Sequence, residues 1–146
     1  MRAGRTAAGF ALVLLACSGD TSRLAPELQA RFATEGQLHR ADNIWFRYTH
    51  DAGTRSAGWE DRRGSIIVTR QTVLIHKNEK IGIEIIPASR PAYDVTRDGN
   101  RVRIGAGSGK SREVWSFAPP DDAEGWVRDI RAVIRLARGD SLARGS

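Results

Sequence analysis

Between Asn43 and Phe117 the chain is a succession of short runs rich in Ile, Val, Tyr, Trp and Thr, each broken by turn chemistry, and only afterwards does a helical period appear. β-branched and aromatic residues fit a pleated, half-buried surface, and runs of this length bounded by Gly, Asn, Asp and Pro read as strands. The pattern predicts strands over 43–49, 58–62, 65–69, 72–76, 81–86, 93–96, 101–104 and 112–117, with the second and third close enough to merge. Asp98-Gly99-Asn100 is a strong hairpin signal, because these residues tolerate the positive φ of a tight reversal, and Lys77-Asn78-Glu79-Lys80 is a weaker one.

The last element follows Pro119-Pro120. Asp121 stands three residues before Glu124 as a capping pair, and Trp126, Val127, Ile130, Val133, Ile134 and Ala137 then share one face of a helix of about 16 residues. Burying its four largest apolar groups contributes roughly 1.5–3 kcal/mol each, so docking on the sheet decides whether it forms. Gly139 supplies the stop, and 139–146 reads as a polar tail. A shorter helix is expected over about 25–35, where Leu24, Leu28 and Phe32 recur every four residues, Pro26 suits a first turn and Gly36 ends it. Its narrow stripe suits docking on the domain or pairing with another protein, the former being commoner.

About seven antiparallel strands closed by one helix with a core-facing tryptophan resemble the pleckstrin-homology-like superfold, including its bacterial and GRAM-type relatives. Gly64-Ser-Ile-Ile-Val-Thr69 resembles that family's glycine, apolar strand and threonine before a tight turn into a second apolar strand, here Thr72-Val-Leu-Ile-His76. Trp126 is similar to the helix tryptophan that packs against one end of the barrel. The resemblance covers about 41–138 and implies a mainly β, partly open antiparallel barrel capped by a C-terminal α-helix. Phosphoinositide-binding members place a lysine and paired basic residues around the first hairpin. Arg47, Arg55, Arg62 and Arg63 lack that spacing, so the resemblance implies a scaffold and not that ligand.

At the other terminus, ten residues from Ala7 to Ala16 run without a charge from a basic start, Arg2 and Arg5, into Cys17, the one cysteine of the chain. A membrane span needs about 20 apolar residues, so this stretch reads as a cleaved signal of residues 1–16. Leu14-Leu-Ala-Cys17 resembles the lipobox of bacterial lipoproteins, which implies a lipid anchor on Cys17 and a tether over 17–24. Ser18 after the cysteine implies, by the same resemblance, the outer membrane facing the periplasm where the source has two membranes. Cleavage of residues 1–16 from the 146-residue chain leaves 130, enough for one domain. With no second cysteine, its core is held without disulfides.

The cleaved chain keeps 21 of the 23 basic residues against 17 acidic ones, a net charge of +4. That balance is only mildly basic, and export disfavours a nucleic-acid partner. Gly105-Ala-Gly-Ser-Gly-Lys-Ser111 ends like a phosphate-binding loop, but Ile104 occupies the place of its first glycine and a strand follows in place of a helix. It reads as a hairpin tip. His39, His50 and His76 are too dispersed for a metal site, and no cofactor is expected. Arg62, Arg63, Arg70, Lys77 and Lys80 fall in two consecutive hairpins near Trp45, Tyr48 and Trp59, a basic and aromatic candidate surface for an envelope protein, peptide or anionic lipid. Glu60, Asp61 and Glu79 dilute it. The reading is a non-enzymatic, membrane-anchored binding or scaffolding module. The alternative is a small envelope hydrolase using His50 and Asp51, with no nucleophile-elbow signature to support it.

Overall fold

The computed structural model describes residues 22–50, 58–87, 89 and 92–139. Cys17, the signal segment, Asp51 and the tail beyond Gly139 lie outside the described residues. Helix α1 spans Pro26–Glu35, and seven strands follow: β1 Gln37–His50, β2 Gly58–Thr69, β3 Val73–Lys77, β4 Lys80–Ile85, β5 Tyr93–Asp98, β6 Arg101–Ala106 and β7 Glu113–Phe117. Helix α2, Ala123–Ala137, closes the order.

The strands form one sheet, β4-β3-β2-β1-β7-β6-β5, antiparallel throughout. Two meanders, β1–β4 and β5–β7, therefore meet along β1. β7 pairs only with the C-terminal part of that strand, Phe46 to His50, so the sheet curls into a partly open, pleckstrin-homology-like barrel around α2. Phe46, Ile66, Val68, Ile75, Ile104 and Phe117 line the interior with Trp126, Val127, Ile130, Val133 and Ile134 of α2, all buried.

Several local expectations need correction. The two runs at 58–62 and 65–69 are one strand, as their closeness allowed. β1 begins at Gln37, six residues before the predicted Asn43. Its first half, with exposed Leu38, Arg40 and Asp42, has no apolar alternation and is held by pairing with the buried end of β2. A register shift between Ala41 and Ile44, with Asn43 at φ 58°, hides the period further. The helix cap is Asp122, whose carboxylate accepts the N–H groups of Glu124 and Gly125; Asp121 instead accepts the Trp126 indole N–H.

The turns follow their chemistry. Gly99 stands at φ 60° between paired Asp98 and Arg101. Thr69 Oγ1 accepts the N–H groups of Gln71 and Thr72 and so folds the β2–β3 reversal. The glycine-rich segment is a single 3-10 turn, Gly109–Ser111, leading into β7, which is the hairpin tip expected and not a helix-backed phosphate loop.

Helix α1 docks on the outer face of the sheet. Leu24 and Phe32, with Leu28 partly buried, pack on Ile67 and Leu74, while Arg31 reaches Glu84 at 2.8 Å and Glu35 accepts the Thr69 hydroxyl at 2.6 Å. The packed unit thus begins at Leu24, ahead of the boundary expected at 41.

Candidate binding site at the open end of the barrel

Alternation along β1 and β2 places Phe46 and Tyr48 on the inner face with Arg62, which pairs with Phe46. The Arg62 guanidinium lies 4.0 Å from the centre of the Tyr48 ring and 5.7 Å from that of Trp115. Trp115, opposite Tyr48 on β7, crosses the interior to β4: a Cβ on Gly82 would come within 3.0 Å of its ring. Gly64 makes a second close approach, since a Cβ there would meet the His76 carbonyl oxygen at 2.8 Å. The two glycines let backbone and rings close to a distance that any larger residue forbids.

This packing leaves a pocket of about 200 Å³ lined by Phe46, Gly64, Ile75, His76, Ile81, Gly82 and Trp115 and bordered by Arg62, Arg63, Lys77 and Lys80. No residue of α2 lines it. Lys77 and Lys80 are paired across the two-residue turn of β3 and β4, where Asn78 and Glu79 take positive φ. Two like charges placed opposite each other disfavour the fold and favour an anion between or above them. Arg63 points to the other face, 5.4 Å over Trp45, and its Nε donates to the Asn43 carbonyl. Trp45 and Ile81 are 57% and 50% exposed, so this end presents apolar surface beside its cations. The Trp115 indole N–H is enclosed and has no hydrogen-bond partner.

Four of the five basic residues singled out in the sequence therefore border one pocket. Arg70 does not. It sits at the β2–β3 turn, a strand's length away, with its N–H on the Gly36 carbonyl and its side chain beside Gly36. Sequence reasoning missed Phe46, Ile81, Gly82 and Trp115 as walls. The legible signal was Gly82 inside an isoleucine-rich strand, where a glycine marks the close approach of another group.

The other histidine chemistry is dispersed. His50 Nδ1 lies 3.6 Å from Glu113 Oε1 on a half-exposed strand end. His39 Nε2 lies 2.7 Å from Asp129 Oδ2 at the far side, against Trp126. His76 is buried with both ring nitrogens unpartnered, and burial, helped by Arg40 and opposed by Asp42, lowers its pKa. Among the described residues no three His, Asp or Glu side chains gather as a metal site, and no helix is long and apolar enough to cross a membrane.

The start of the described chain lies at the same end as the pocket. The Arg23 carbonyl accepts the Glu79 N–H, the Arg23 guanidinium pairs with the Glu79 carboxylate at 3.1 Å, and the Ser22 carbonyl accepts from Arg40. No family model matches this chain, and no curated protein matches it.

Proposed function

We propose that this chain is a lipid-anchored, non-enzymatic binding module of the cell envelope, and that its recognition surface is the open end of the barrel. One observation carries the reading: Arg62, Lys77 and Lys80 border an apolar pocket at that end, with Arg63 beside it over Trp45 on the other face. Cations around exposed Trp45 and Ile81 match an anionic partner that also offers apolar surface, whether an envelope lipid or an acidic protein surface. The route of the chain supports this reading. Arg23 is held against the β3–β4 turn, and the five steps of chain from Cys17 to Ser22 reach at most about 18 Å. An acyl anchor on Cys17 thus keeps the open end close to the membrane surface and raises its effective concentration for partners there.

The test uses the mature chain with Cys17→Ser, so that no acyl group contributes. Sedimentation with vesicles of anionic and of zwitterionic lipid, and chemical crosslinking in isolated envelopes, are compared between this protein and its Lys77→Glu/Lys80→Glu form. The reading expects at least one of the two associations to be lost on charge reversal. Associations indifferent to the reversal overturn it.

A further inference from the structure

The pocket is more specific than a charged surface requires. Apart from His76 and the two glycines its walls are aromatic and aliphatic, its volume is about 200 Å³, and its lysines and arginines stand at the border. An apolar cavity of about 150 Å³ suffices for a benzene-sized molecule, so this one suits an apolar body of roughly six to eight carbons. It is too small for most of a drug-sized or cofactor-sized ligand, whose pockets run from about 300 Å³ upward.

We propose that the pocket binds a small anionic amphiphile, a medium-length hydrocarbon body ending in a carboxylate or phosphate. The body lies in the pocket over the edge-on pair of Phe46 and Trp115, with Ile75 and Ile81 beside it. The anionic end meets Lys77 and Lys80, which have no ion-pair partner among the described residues. An anion there also relieves the repulsion of two lysines paired directly across a tight turn. A neutral amphiphile satisfies the walls but leaves the lysines unmatched, and a cationic one is repelled. This inference rests on the open end being the recognition surface and adds the class of ligand it takes.

The experiment is isothermal titration of the mature chain with octanoate, octyl phosphate, 1-octanol, octylammonium and acetate. Octanoate or octyl phosphate is expected to bind at least tenfold more tightly than 1-octanol and octylammonium, with acetate not bound. Preference for the carboxylate assigns a free acid as the source, and preference for the phosphate assigns a lipid headgroup. Lys77→Glu/Lys80→Glu is expected to weaken the anionic ligands at least tenfold while 1-octanol changes less than twofold, and circular dichroism checks that the variant is folded. Equal binding of all the eight-carbon ligands, no binding of either anion, or binding indifferent to the two lysines overturns the proposal. If octanoate and octyl phosphate fail while the vesicle or crosslinking association still depends on Lys77 and Lys80, the ligand class is wrong and the recognition surface stands. The converse pattern removes the surface and keeps the pocket.

Discussion

The imidazole of His39 stacks on the indole of Trp126, ring centroids 4.6 Å apart and 27° from parallel, while its Nε2 reaches Asp129 Oδ2 at 2.7 Å. One side chain from the irregular first half of β1 thus ties the strand to α2 by both a ring face and a polar contact. Trp126 in turn meets Phe117 edge-on at 5.4 Å and donates its N–H to Asp121.

Trp126→Ala is therefore expected to destabilise the domain by roughly 3–5 kcal/mol, since the residue is buried and its removal leaves a cavity between β1, β7 and α2. Denaturant titration reads the change. A loss below about 1 kcal/mol means that α2 does not hold the barrel through this residue.

Asp129 has its carboxyl held below the usual range, first by the hydrogen bond from Arg128, against the opposing effect of burial, and then by that from His39. A depressed folded pKa means that the contribution is present above the unfolded value of about 4 and is lost as pH falls through the folded one. Asp129→Asn is expected to lower stability at neutral pH and to flatten the fall below about pH 4. Thermal melts of both proteins between pH 2 and 7 check it, and parallel curves exclude the linkage.

His76 behaves oppositely. Burial lowers its pKa in the folded state, with Arg40 adding and Asp42 opposing, whereas the unfolded chain takes up a proton at about pH 6.5. Stability falls as pH drops below that value, because the unfolded state binds more protons. His76→Leu removes two unpartnered buried nitrogens and is expected to stabilise the domain by about 1 kcal/mol at pH 7, with a larger gain at pH 5.5. A gain that does not grow on acidification places the titration elsewhere.

Cys17→Ala is expected to abolish incorporation of a labelled fatty acid into the protein in cells while the melting curve of the purified domain is unchanged, because the packed unit begins at Leu24. Equal labelling of wild type and variant removes the lipid anchor from the reading.

Reversing charge at Arg63 and Lys80 is expected to weaken association with anionic vesicles and to make the remainder less sensitive to salt, with stability changed by no more than about 0.5 kcal/mol. The same reversal at Arg70 is expected to leave association unchanged, since that residue lies by Gly36 and away from the pocket. Equal effects at the two places mean that total charge, and not the pocket, is what matters.

The sequence by itself determined whatever depends on neighbours along the chain. The apolar face of α2 and its stop at Gly139, the Asp98-Gly99-Asn100 reversal, the stripe Leu24, Leu28 and Phe32, and most strand positions follow from side-chain period and local φ preference, which a few residues express on their own. Tertiary structure decided the rest. The run from Gln37 to Asn43 has no strand pattern and becomes a strand because β2 offers it hydrogen-bonding partners. Asp122 caps α2 because Asp121 is drawn to Trp126. Five basic residues in two hairpins look equivalent in order along the chain, yet the curl of the sheet brings Arg62, Lys77 and Lys80 to the pocket walled by Trp115, which follows them by more than thirty positions, turns Arg63 over Trp45 on the other face, and leaves Arg70 at the opposite turn. A pocket is a relation among side chains distant in sequence, and no local period encodes which strand's ring will cross the barrel to rest on which glycine.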